Sequence, residues 1–234
     1  MTTPRDVLHR LLAHDATRPR LTWYGGDGER VELSARVLEN WVAKAANLLL
    51  EEADLEVGGS VRLDLPRGHW RGAYWALATW SCGATLRLDD TETDAFVTSD
   101  AEAAAASGAT LRVLVTPGAL ARSHPGEVPV GVVDEAAELA TYPDRFVPAG
   151  EPSMTAPALV GADGRPYAYA GLVPTDDAVD GVRRHLDATA LEPGELLRAL
   201  LATWAARGSV VVTCGVPEER LEGLLASEAV DFTD

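Results

Sequence analysis

Few side chains in this 234-residue sequence have the type and spacing that chemistry requires. Lys44 is the sole lysine. An active lysine needs a setting that shifts its pKa, whereas Lys44 falls beside an apolar helical stripe, where its stem covers apolar surface and its ammonium reaches water. The five histidines (9, 14, 69, 124 and 185) are scattered. His185 and Asp187 are two residues apart on a helix expected from about Thr175 to Asp187, so they share no face and make no metal or acid–base pair. His69 opens a helix beside Trp70, which points to a surface or capping role. Cys82 and Cys214 each end an apolar element and read as small buried hydrophobes, without the positive surroundings a reactive thiolate needs. Gly25-Gly26-Asp27-Gly28 could cradle a phosphate, but it joins two short strands, and no Lys-Ser/Thr follows it. It reads as a plain hairpin turn. The chain contains no G-x-S-x-G, H-E-x-x-H or G-x-x-x-x-G-K-[ST] pattern.

Composition narrows the partners. A net charge of -16 argues against nucleic acid and against an anionic membrane surface, both of which attract clustered Lys and Arg. With 47% apolar residues the chain can build a sizeable core, and no run approaches the length of a bilayer span. The start, Met-Thr-Thr-Pro-Arg-Asp, lacks a signal peptide's apolar region. Two cysteines make no disulfide framework and no metal pair at short spacing. These features lead us to expect a reduced, cytoplasmic protein with no metal and no cofactor.

The elements that would position any site centre on residues 57–88. Gly58 and Gly59 precede Val61, Leu63 and Leu65, which alternate as a strand stopped by Pro66. From Trp70 through Ala73, Tyr74, Leu77 and Trp80 the spacing is helical; Gly83 closes that helix, and Ala84–Leu88 is a second strand. Strand, helix, strand with short joints is a parallel crossover unit, which makes the chain a layered α/β protein. Around it the pattern predicts a helix after Thr3-Pro4, a hairpin over Leu21–Leu33, and a helix through Leu38, Trp41 and Leu49. Strands follow at Ala95–Thr98, Leu111–Val115 and Val130–Val133, with a short helix at Ala101–Ala106 and a helical turn after Asp134. Residues 1–234 read as a single domain, in which four prolines between Thr141 and Pro157 make 141–157 the candidate linker between lobes 1–140 and 158–234. The last third predicts strands at Ala158–Val160 and Tyr167–Tyr169, helices at Glu192–Ala206 and Glu218–Ser227, and a strand at Ser209–Thr213.

Taken in order, these segments resemble the N-terminal region of the adenylate-forming superfamily, which contains acyl-CoA synthetases and AMP-dependent ligases. The resemblance rests on the hairpin at Leu21–Leu33, on Gly59-Ser60-Val61-Arg62-Leu63-Asp64-Leu65-Pro66 against G-D-x-V-x-x-x-x-P, and on Trp80-Ser81-Cys82-Gly83-Ala84 against K-A-G-A. It continues at Leu201–Val212, against L-x-x-G-x-x-V-V-L. More narrowly the chain resembles a short group of such proteins from high-GC Gram-positive bacteria that stop near this length.

The resemblance implies a phosphate loop ending in G-x-P-K-G, in which N–H groups and hydroxyls hold ATP and a lysine offsets charge. The matching stretch is Gly161, Ala162, Asp163, Gly164, Arg165, Pro166 and Tyr167, of which only Gly164 and Pro166 fit. Hydroxyls are absent, Asp163 adds a negative charge, and Tyr167 stands where the lysine would be. The chain also stops before the family's Y-G-x-T-E segment and its C-terminal domain. We therefore expect a degenerate nucleotide loop, no catalytic residues, and a non-catalytic binding or scaffold protein. The alternatives are part of an acid–CoA ligase completed by a partner chain, or an acyl or small-molecule binder without ATP chemistry. Arg62 and Asp64 alternate with apolar neighbours, which suits a sheet with one polar face, and a chain missing outer layers leaves apolar surface uncovered. From this we expect a homodimer or an unidentified protein partner.

Overall fold

The computed structural model describes residues 2–174 and 179–233. In chain order the elements are α1 (Pro4–Asp15), β1 (Pro19–Gly25), β2 (Arg30–Ser34), α2 (Ala35–Ala53), β3 (Ser60–Asp64), α3 (Arg71–Ser81), β4 (Thr85–Arg87), β5 (Ala95–Thr98), α4 (Ala101–Ala106) and β6 (Leu111–Leu114). They continue with β7 (Val133–Asp134), α5 (Glu135–Glu138), β8 (Pro157–Val160), β9 (Pro166–Ala168), α6 (Tyr169–Leu172), β10 (Arg183–Asp187), α7 (Pro193–Ala205), β11 (Ser209–Cys214), α8 (Glu218–Ser227) and β12 (Phe232–Thr233). These elements form two compact units. One holds residues up to Leu38, Arg67–Trp70 and everything from Ala170 onward; the other holds Glu39–Pro66 and Arg71–Tyr169. Residues 141–157 lie wholly inside the second unit.

The first unit is built on a five-stranded sheet in the order β12-β10-β11-β1-β2. Strands β10, β11 and β1 run parallel, and β2 returns antiparallel to β1 through the glycine-rich turn. Thr3 caps α1: its hydroxyl accepts the Asp6 N–H, and the Asp6 carboxylate accepts the Thr3 N–H. That reciprocal box, with Pro4 in the first turn, fixes where the helix begins. Helix α7 lays Leu196, Leu197, Leu200, Leu201 and Trp204 into the core, and the Trp204 indole donates to Arg20 O at 2.9 Å.

Two expectations give way. Residues 183–187 form strand β10, not the end of a helix, while Thr175–Ala178 of that expected helix lie outside the described residues. The polar run Arg183-Arg184-His185 extends because each side chain finds a partner from an extended backbone. Arg183 reaches Glu228, Arg184 covers the Phe232 ring, and His185 meets Thr213. Of the strand expected over Val130–Val133, only Val133 pairs, as the first residue of β7. Val130 is 98% exposed and Gly131 takes a left-handed φ of 73°, so the chain turns there instead of extending.

The second unit is a seven-stranded sheet in the order β7-β6-β5-β3-β4-β8-β9. Every pair is parallel except β8 with β9. β3 and β4 are parallel neighbours on either side of α3 in the chain, with Val61 opposite Leu86. α3 buries all its residues but Gly72, as expected of a helix that is apolar around its circumference. Asp100 caps α4, accepting the N–H groups of Glu102 and Ala103. No helix among the described residues is long and apolar enough to cross a membrane.

Helix α8 is held to the first sheet by charge more than by packing, since none of its residues is fully buried. Glu228, just past its end, accepts from Tyr24 Oη, from Arg30 Nε at 3.1 Å and Nη2 at 3.0 Å, and from Arg183 Nη2. Burial alone would raise the Glu228 pKa, but these donors outweigh it and hold the carboxyl below the usual range. A lowered folded-state pKa stabilises the fold above the unfolded value and loses that contribution as acid titrates the carboxylate. Glu228→Gln is therefore expected to cost about 1–3 kcal/mol at pH 7 in urea unfolding, a difference that shrinks as the pH falls below the ordinary glutamate range and is lost once the folded carboxylate is protonated. Gly223 sits inside α8 with open space where a Cβ would point. Gly223→Ala should raise stability by about 0.5–1 kcal/mol, read from the same unfolding curves.

Candidate functional site

The stretch expected as the nucleotide loop is the turn of the β8–β9 hairpin. Gly161 N–H donates to Arg165 O at 3.0 Å, Gly164 N–H to Gly161 O at 2.9 Å, and Arg165 N–H to Asp163 Oδ1 at 2.9 Å. Gly164 takes a φ of +77°, which a residue with a side chain resists. Pro166 lies opposite Val160 and Tyr167 opposite Leu159, so both belong to the ladder and not to a loop. The Arg165 guanidinium lies 5.7 Å from the centre of the Tyr167 ring. Three N–H groups that a phosphate would require are thus bonded within the turn, and an exposed carboxylate faces solvent beside them.

The glycine-rich turn between β1 and β2 has the same bonding. Gly25 N–H donates to Glu29 O at 2.9 Å, Gly28 N–H to Gly25 O at 3.0 Å, and Glu29 N–H to Asp27 Oδ1 at 3.0 Å. Both segments read Gly-x-Asp-Gly-x, with the second glycine at positive φ. Each is a hairpin turn closed by its own aspartate, the arrangement in which an Asx bond and a left-handed glycine return the strand.

Sequence reasoning missed a buried charge cluster beside α3. Glu135 Oε1 accepts from Arg71 Nη1 at 3.1 Å and from Tyr74 Oη, while Arg71 Nη2 donates to Gly118 O at 3.2 Å. The side chains of Arg71 and Glu135 are 4% and 1% exposed. Burial pushes the Glu135 carboxyl up against the opposing pull of Arg71 and Tyr74, and burial together with Glu135 pushes the Tyr74 hydroxyl well up. Sealed from solvent, the cluster ties α3 to α5 and to the loop at Gly118. The sole sign in the sequence was Arg71, four residues before Trp75 on a helix with no other charged residue.

The partly exposed Lys44 also finds backbone partners: its ammonium donates to Ala140 O at 3.0 Å and Tyr142 O at 2.5 Å. Three residues along the same helix, Asn47 Nδ2 donates to Pro143 O at 2.9 Å and Arg145 O at 3.0 Å. The start of the proline-rich stretch is pinned to α2 by these donors. His69 is buried instead of superficial, 5.1 Å from the Trp23 ring and 5.7 Å from Trp70. His185 Nε2 lies 2.9 Å from Thr213 Oγ1, and on a strand it shares a face with Asp187, contrary to the helical reading. Among the described residues no group of three or more His, Cys, Asp and Glu is placed to hold a metal ion.

Cys82 is buried with its thiol 3.7 Å from Ala46 O, and burial pushes that thiol up to about 12. Cys214 is half-buried, not buried as expected. Burial and then Asp187 raise its thiol, which contacts Arg67 O at 3.1 Å. Neither supplies a thiolate at neutral pH. Iodoacetamide at pH 8 is expected to leave Cys82 unmodified in the native protein and to label it at once in urea, as mass spectrometry of the peptides would show.

The chain is 33% identical over 252 residues to a Mycobacterium tuberculosis protein described as a TIGR03089 family protein, across 98% of this chain and 98% of that one. No protein-family model matches it. Among solved structures, a Brucella canis acyl-CoA synthetase aligns with a TM-score of 0.74 at 15% identity, over 99% of this chain and 47% of its own. A fatty acyl CoA synthetase of M. tuberculosis aligns with a TM-score of 0.63 at 13% identity, over 99% of this chain and 48% of its own. The N-terminal domain of FACL13 from M. tuberculosis aligns with a TM-score of 0.67 at 13% identity, over 100% of this chain and 62% of its own. The chain thus spans about half the length of the two synthetases, and at these identities the likeness is one of fold. The α/β fold is that of acyl-CoA synthetase N-terminal regions, and by its end-to-end match to the mycobacterial relative the chain belongs to the TIGR03089 family.

Proposed function

We propose that this chain is a non-catalytic relative of the adenylate-forming enzymes, a binding or scaffold protein that keeps the synthetase N-terminal fold without its ATP chemistry. The observation that carries this reading is the Gly161–Tyr167 turn, whose N–H donors bond within the turn and whose Asp163 closes it. Holding a triphosphate requires convergent N–H donors and a cation, because several negative charges collect in a small volume. Freeing those donors would break three hydrogen bonds and still leave Asp163 against the phosphates. The chain's net charge of -16 further opposes the approach of a polyanion. Its sole lysine is committed to the Ala140 and Tyr142 carbonyls. Two free cysteines, with thiols that burial keeps protonated, support a cytoplasmic setting.

Isothermal calorimetry with ATP and magnesium tests the proposal. The expected result is no binding tighter than about 1 mM, and no pyrophosphate exchange with any carboxylic acid. A micromolar constant that Arg165→Ala abolishes would overturn it and assign the turn a working phosphate site.

A further inference from the structure

Four strands edge the two sheets, and three of them are poor templates for another strand. β7 and β12 are two residues long each, and β9 is three residues led by Pro166, which has no N–H to offer. β2 is five residues long, Arg30–Ser34, and edges its sheet beyond β1. Its hydrogen-bonding phase follows from the turn. Gly25 N–H donates to Glu29 O, so the bonded pairs alternate onward through Trp23–Val31 and Leu21–Leu33. The N–H and C=O groups of Arg30 and Glu32 therefore point away from β1, and among the described residues no strand accepts them.

Side chains select what could pair there. Arg30 and Glu32 lie on one face of β2, bonded to each other at 2.7 Å and still at 42% and 36% side-chain exposure. A second β2 laid antiparallel about a two-fold axis at Glu32 would set like charges opposite each other. An axis at Val31 sets Arg30 opposite Glu32 twice, and it pairs the very residues whose backbone groups point outward. Phase admits both axes, and charge chooses the one at Val31. The geometry points to β2 as a self-complementary edge at which two copies of this chain join, with Arg30 of each copy exchanging both backbone bonds with Glu32 of the other. The patch is isologous, so it closes at a dimer and does not propagate. A contact of four backbone bonds and two charge pairs falls well short of the roughly 800 Å² per partner of a stable interface, which makes the dimer weak and dependent on concentration.

Sedimentation equilibrium from about 10 µM to 1 mM, at about 0.15 M salt, reads it directly. Wild type should self-associate to a dimer across that range. Glu32→Pro removes an N–H that faces away from β1, and Glu32→Arg sets arginine against arginine; both should stay monomeric. Arg30→Glu should also be monomeric alone, yet recombine one-to-one with Glu32→Arg, because the mixed pair restores both attractions. Circular dichroism checks that each variant folds. Since Arg30 also contacts Glu228, the two Glu32 variants decide the matter if Arg30→Glu does not fold. A wild type that stays monomeric throughout overturns the inference. So does association that survives both Glu32 changes, or folded complementary variants that fail to recombine.

Discussion

Burial of α3 on almost its whole circumference is the constraint on which the second unit depends. A helix with no polar face must be enclosed, and each polar atom it buries costs free energy unless it finds a partner inside. Trp80 Nε1 donates to Ala158 O at 2.7 Å, which fixes β8 against the helix. Arg71 and Tyr74 converge on Glu135 at the other end. Thr79 and Ser81 hydroxyls return to Trp75 O and Leu77 O within the helix itself. The hairpin that bears residues 161–167 is thus mounted on a strand held by an α3 side chain, so the turn's closed geometry rests on a rigid support.

That turn and the one at Gly25–Gly28 show how little separates a phosphate loop from a hairpin. Both are glycine-rich and both offer several N–H groups in a short span. The aspartate decides the outcome. Asp27 and Asp163 each accept the N–H two residues on, which uses a donor and places negative charge where an anion would sit. A hydroxyl at that position could bond either the backbone or a ligand; a carboxylate repels the ligand as well as closing the turn.

Much of this was legible because local chemistry and tertiary context agree. Thr3-Pro4, the alternation through Val61–Leu65, and the three- and four-residue spacing from Trp70 to Trp80 each specify an element without outside help. β10 was not legible, since Arg183 and Glu228 are 45 residues apart and His185 and Thr213 are 28 apart. No local pattern could show that those polar groups would be satisfied in a strand. The Arg71–Glu135 pair, 64 residues apart, was hidden for the same reason. Lys44 was placed on the right helix, but the carbonyls it donates to lie 96 and 98 residues away, beyond any reading of its own stripe. The turn at 161–167 stands out in the sequence by its glycines, its missing hydroxyls and its charge. Its identity with the first hairpin turn emerged only from the bonding.

Amide hydrogen exchange by NMR at Gly161, Gly164 and Arg165, measured with and without ATP and magnesium, tests the central claim most directly. A closed turn protects all three in the free protein, as internally bonded donors, with rates unchanged by nucleotide. Fast exchange in the free protein that slows when nucleotide is added would contradict it, because those donors would then be free to take a phosphate.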